Sequence, residues 1–195
     1  AHDPRNDALR IWIDGRLVPK AEAVVSVYDS GFLMGDGVWE GVRLHNGRWA
    51  FLDAHLDRLF EGARAIDLEI GMDRGALARA LDATAAANAM TGDAHARLMV
   101  TRGVRRRPFQ DPRLADAGPT IVIIAEHSRA DPALAERGIT LATVPIMRGP
   151  PTVQDPKLNS HSKLNCILAG IAAQKAGADE ALMLDPHGFV STTNS

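Results

Sequence analysis

The stretch "GVWEGVRLHNGRWAFLDAHLDRLFEGARAI" (37–66) changes its hydrophobic period in the middle, and that change limits what the chain can fold into. Residues 37–44 and 48–52 read as strands. His45-Asn46-Gly47 lies between them, and its glycine can take positive φ in a tight hairpin. From Asp53 the spacing turns to three and four: Leu56, Leu59, Phe60, Ala63 and Ile66 form the stripe of an amphipathic helix, with Asp53 as its N-cap. A helix thus packs beside a hairpin.

Elsewhere both periods recur. "LRIWI" (9–13) alternates and runs into Asp14-Gly15, a strand entering a hairpin turn. An alanine- and leucine-rich helix is expected at about 73–90. Strands are expected at 96–103, 120–126 and 139–144, where β-branched runs are separated by loops holding Pro108, Pro112 and Pro119. A helix starting near Ser162, capped by Ser160 or Ser162, carries Leu164, Ile167, Leu168 and Ile171 on one face, followed by strand, turn and strand at 180–192. The mixed charge and Asp131-Pro132 set a linker at 127–138 between an N-terminal α+β domain, 1–126, and a second domain, 139–195. The fold class is α/β.

The 195 residues, 46% hydrophobic and 24% charged, suffice for a buried core. A net charge of −2 with interspersed signs gives no footprint for nucleic acid, and "RGVRRRP" (102–108) reads as a solvated loop or a clamp for one small anion. The single Cys166 excludes an intramolecular disulfide, no Cys/His set has zinc spacing, and no metal is expected. Without a signal peptide or a membrane-length apolar run, a cytoplasmic protein is expected.

"YDSGFLMGDGVWEGVRLHNGRWAFLDAHLDRLFEGARAIDLEI" (28–70) resembles the opening of the fold-type IV pyridoxal-phosphate enzymes, which include branched-chain aminotransferases, D-amino acid aminotransferases and aminodeoxychorismate lyase. The likeness continues through "VTRG" (100–103) and "AGADEALMLDPHGFV" (176–190). It implies pyridoxal 5'-phosphate as cofactor, with Arg58 on its phosphate through a bidentate guanidinium. It places Phe32 beside the substrate, Arg102 near a substrate carboxylate, and "GDGVWEG" at the pocket floor. It implies amino-group transfer between a branched-chain-like amino acid and a 2-oxo acid, in a homodimer. The same family also includes a lyase acting on an aminated chorismate, and a non-catalytic binding protein of this fold is the reading from another class.

Three departures from the family stand out. A lysine bonds the cofactor aldehyde and shuttles protons in these enzymes, and the position that matches it, four after Asp155, holds Asn159. Two lysines are substitutes. If 159–163 is helical, Lys163 lies one turn on, about 6 Å along the axis. If 157–159 is extended, Lys157 lies about 7 Å back on the same face. Lys163 is preferred because it borders the stripe through Ile167, where desolvation makes the neutral amine accessible. The second departure is Thr192, where relatives carry a glutamate for the pyridine nitrogen; Thr192 and Thr193 are retained as cofactor contacts. A hydroxyl there implies a weaker electron sink. Third, relatives continue through a further strand and a "G-x-T-R" loop, so 139–195 reads as the beginning of a truncated cofactor-binding domain.

Overall fold

A computed structural model describes residues 2–129 and 131–195 as a mixed α/β protein of two compact units. One comprises residues 1–130 with 159–161, the other 131–158 with 162–195. The chain therefore returns to the first unit after entering the second. The segment expected as a linker at 127–138 holds a helix, Pro132–Arg137, whose N-cap Asp131 accepts the Ala133 N–H.

The first unit is built on a six-stranded antiparallel sheet. Its strands are β1 (Arg10–Ile13), β2 (Arg16–Pro19), β3 (Gly37–His45), β4 (Arg48–Trp49), β5 (Ala94–Thr101) and β6 (Thr120–His127), in the order β2-β1-β6-β5-β3-β4. Both expected hairpins form. Asp14 (φ 45) with Gly15 (φ 88), and Asn46 (φ 48) with Gly47 (φ 73), give the two-residue turns that match strand twist. Helix α1 (Ser30–Met34) precedes β3, while α2 (Leu52–Ala65) packs on β3 and α3 (Arg74–Ala87) on β6 and β1. Leu56, Leu59, Leu77, Leu81, Leu98 and Ile123 are almost completely buried between helices and sheet. Each is worth about 1.5–3 kcal/mol of transfer free energy.

Two helix starts differ from expectation. The N-cap of α2 is Phe51 in the left-handed region (φ 52), with no side-chain cap, rather than Asp53. The hairpin exit decides this: the Ala50 N–H is tied to the Arg43 carbonyl, so the turn into the helix falls at Phe51. Asp53 stays in the first turn, where its charge suits the helix dipole.

The second unit holds α4 (Pro132–Arg137), β7 (Leu141–Thr143), α5 (Pro151–Gln154), α6 (Leu164–Lys175), β8 (Glu180–Leu184) and β9 (Val190–Thr193). The second shifted start is that of α6, which begins two residues beyond Ser162. β8 pairs parallel with β7 and antiparallel with β9. Helix α6 lies on β8 through Ala169 and Ala173, which meet Ala181, Met183 and Val144. The expected apolar stripe of this helix is therefore not its packing face: Leu164, Ile167, Leu168 and Ile171 are exposed. Alanines one turn apart let helix and sheet approach closely, and that small-residue face prevails over the bulkier one. No helix among the described residues is long and apolar enough to cross a membrane.

Candidate functional site

Strand β3 alternates, and alternation carries Val38, Glu40, Val42 and Leu44 to the side packed by α2. A carboxylate thereby lies among apolar side chains, with Glu40 at 0% exposure. Such burial is tolerated only with charged partners, and α2 supplies them three residues apart. Arg58 donates from Nε to Oε1 and from Nη2 to Oε2, both at 2.6 Å, and His55 Nδ1 lies 2.7 Å from Oε2. The Glu40 hydrogen bonds raise the Arg58 pKa, so the guanidinium stays cationic. Its side chain is 48% exposed, and Nη1 takes no part in the pair. Arg58 is thus oriented from behind and open in front to an anion, although Glu40 offsets part of its field.

A second acid-centred cluster lies just upstream. Asp36 accepts from Arg102 (Nε 2.7 Å, Nη2 3.1 Å) and from Arg105 Nη2 (2.8 Å). Arg102 also donates to the carbonyls of Ile66 (2.7 Å) and Asp67 (2.8 Å). Its Nε and both terminal nitrogens donate within the chain, and Nη1 keeps one further N–H. Phe32, on α1, is 69% exposed.

Residues 159–161 pair with the start of β3 through an isolated antiparallel bridge, Ser160 to Val38. The Asn159 carbonyl accepts the Trp39 N–H (2.9 Å), the Gly37 carbonyl accepts the His161 N–H (3.0 Å), and Trp39 Nε1 donates to the Ser160 carbonyl (3.1 Å). Gly37 is needed on the other side of this strand. A Cβ there would stand 2.5 Å from the Val100 carbonyl oxygen and 2.9 Å from Thr101 Cα.

Both geometric premises for a substitute lysine are overturned. Residues 159–163 are not helical: Ser160 bridges to Val38, and α6 begins only at Leu164, with Lys163 at its N-cap position and no side-chain cap from either serine. Nor is 157–159 a strand, because Asp155 closes a turn by accepting the Lys157 N–H on its side chain and the Leu158 N–H on its carbonyl. Lys163 is half-buried and its carbonyl accepts the Ile167 N–H, whereas Lys157 is exposed. On β9, Thr192 is exposed opposite Met183, and the half-buried Thr193 donates its hydroxyl to the Ser195 carbonyl.

On the sheet face away from α2 lies a group the motifs did not single out. The Arg97 guanidinium sits 3.8 Å from the Trp39 ring centroid, and among the described residues no carboxylate forms an ion pair with it. Desolvation lowers its pKa, and desolvation followed by Arg43 and Arg97 lowers that of His95. Gly41 leaves the space beside them, since a Cβ would meet His95 Nε2 at 2.9 Å. The available signal was the alternation of "AHARLMVT", which sends His95, Arg97 and Met99 to one face. No cluster of three or more His, Cys, Asp or Glu that could hold a metal occurs among the described residues.

Comparison with known proteins gives this geometry a family. The chain is 37% identical over 194 residues to branched-chain-amino-acid aminotransferase-like protein 2 of Arabidopsis thaliana, a match covering 98% of this chain and 34% of that protein. It is 38% identical over 128 residues to a D-alanine aminotransferase of Listeria innocua, covering 64% of this chain and 42% of that one. The crystal structure of the branched-chain aminotransferase of the thermophilic archaeon Thermoproteus uzoniensis with norvaline superposes with a TM-score of 0.84 at 27% identity, over 96% of this chain and 63% of that one. The chain thus spans about a third of the plant relative and under two thirds of the solved structure. Residues 37–195 match the family Amino-transferase class IV, and the chain belongs to that family.

Proposed function

We propose that this chain binds pyridoxal 5'-phosphate and serves amino-group transfer between a branched-chain-like amino acid and a 2-oxo acid. The observation that carries the reading is the presentation of Arg58, clamped from behind by a fully buried carboxylate and left with spare donors. That is the donor set a phosphate monoester requires. When bound, the cofactor supplies an aldehyde that takes an amine and a ring that withdraws electrons.

Around it the chain's own groups have these roles. Arg58 holds the phosphate, and Thr192 and Thr193 contribute hydroxyls as further contacts. Asn159, at the usual anchor position, has no amine to offer, and Lys163 is assigned instead as the amine that bonds the cofactor and carries the proton, on its half-buried place at the head of α6 rather than on a shared helix face with Asn159. Arg97, stacked on Trp39, receives a substrate carboxylate, with Phe32 as an apolar neighbour of the substrate. Family likeness supports a homodimer, and the cytoplasm is the compartment proposed for it.

Borohydride reduction of the holoprotein followed by peptide mapping tests this reading. A yellow protein with the label on Lys163 supports it; a label on neither Lys163 nor Lys157, with no amino-group transfer, refutes it. Asn159 and Thr192 together favour a second reading, a cofactor-binding protein without transaminase activity. That reading expects saturable binding of pyridoxamine 5'-phosphate and no borohydride label.

A further inference from the structure

Helix α1 has five residues and cannot hold itself, because a single helical turn in isolation is unstable. Phe32 on it is largely exposed, so packing does not fix it either. Its position is set by polar groups. Asp29 caps α1 by accepting the Gly31 N–H (2.8 Å) and also accepts the Thr101 hydroxyl (2.9 Å). Ser30 Oγ donates to the Gly103 carbonyl (2.7 Å) and accepts from Arg105 Nε (2.9 Å). Asp36, at the other end of the turn, accepts from both Arg102 and Arg105.

Arg105 reaches in a second direction. Its Nη1 donates to the carbonyls of Phe109 (2.9 Å) and Asp111 (2.8 Å), and its side chain is 1% exposed. One guanidinium therefore spans the α1 turn and the loop at 105–111. Arg102 does the same between Asp36 and the end of α2. The buried Arg105 and the half-buried Arg102 share the Asp36 carboxylate as their ion-pair partner. Removing the charge of Asp36 would leave the two guanidiniums on one uncharged acceptor, with Arg105 buried and without its ion-pair partner.

We propose that Asp36 is a positioning residue: its carboxylate, shared by Arg102 and Arg105, joins the α1 turn, the 105–111 loop and the end of α2 into one arrangement. The inference rests on the proposed function only where it sets Phe32, on the α1 turn, beside a substrate. Arg102 then acts through Asp36 and is not itself the receptor of a substrate carboxylate.

Hydrogen exchange of the intact protein, read peptide by peptide, tests the joining without reference to activity. Asp36→Asn keeps the shape and removes the charge. Exchange in 29–37 and in 105–111 is expected to rise together by about tenfold or more, while the strands β5 and β6 keep their protection. With amino donor and acceptor present, kcat falls about 10- to 100-fold and KM moves by less than about threefold, as for a misplaced rather than a missing contact. Should Asp36→Asn fail to fold, Arg105→Lys, which keeps the charge and loses the fork, gives the same readings. Unchanged exchange in both segments overturns the proposal. So does an Arg102→Lys variant whose KM rises about 100-fold with kcat and exchange unaltered, the pattern of a direct substrate ligand. A wild-type protein without transfer activity sinks the functional reading alone, since the exchange measurement still decides the role of Asp36.

Discussion

Glu40 and Asp36 lie on one run of chain, and each gathers two basic side chains, yet they leave their arginines in different states. At Glu40 the acid is sealed and the arginine is half out, with donors to spare. At Asp36 the acid is the more accessible member, while Arg102 and Arg105 are at 15% and 1% exposure with their donors given to carbonyls of neighbouring turns. The first arrangement presents a cation, and the second uses cations as fasteners. The difference is made by backbone carbonyls, which the charged residues alone do not reveal.

The contrast can be tested from its foundation upward. Both clusters hang on β3 and β5, so Leu98→Ala, which empties a fully buried position of β5, is expected to destabilise the first unit by about 2–5 kcal/mol in urea denaturation. Loss of less than about 1 kcal/mol would mean that the clusters do not depend on this core. Next, Arg58→Ala is expected to weaken binding of pyridoxal 5'-phosphate about 100-fold, roughly 2.7 kcal/mol, whereas Arg102→Met changes it by less than about threefold. Calorimetric titration of both variants reads this, and equal losses would erase the distinction between presenting and fastening.

Glu40→Gln should cost about 1–3 kcal/mol of stability, because Arg58 and His55 lose an anionic acceptor in a buried site. Its phosphate affinity falls as Arg58 loses its clamp, so the same titration joins the two effects. The smallest effect concerns Asp111, in the loop fastened by Arg105. The hydrogen bond from Arg113 holds its pKa at about 2, below the usual 3.8. A carboxylate with a depressed folded pKa contributes stability that is present above about pH 3.8 and lost as pH falls through about 2. NMR titration should show a midpoint near 2 for Asp111, returning toward 3.8 in Arg113→Gln.

Local chemistry was the legible part of this fold. Asp14-Gly15 and Asn46-Gly47 mark their hairpins because few other residues take positive φ, and the shift of period after β4 marks α2. What escaped depended on distant partners. Phe51 caps α2 because a bond from Ala50 to Arg43 fixes the hairpin exit, and α6 turns alanines inward because β8 approaches closely. Within the candidate site, the resemblance singled out Arg58 but not the buried acid that pairs with it, since Glu40 sat inside a quoted motif without a role. The alternation of Val38 and Val42 around it was the signal for a buried acid. The extended path of 159–161 could not be read from neighbours in sequence, since its pairing partner is β3, which begins at Gly37.

That pairing has a consequence for how the protein is made. The first unit is not contiguous: its last extended segment is synthesised after the stretch 131–158 that belongs to the other unit. At about 5–20 residues per second, the start of β3 waits seconds on the ribosome with its pairing edge open. A nascent chain stopped at residue 130 would carry all six strands of the sheet and still lack the pairing of 159–161 with the start of β3, an open edge of the kind that invites mispairing.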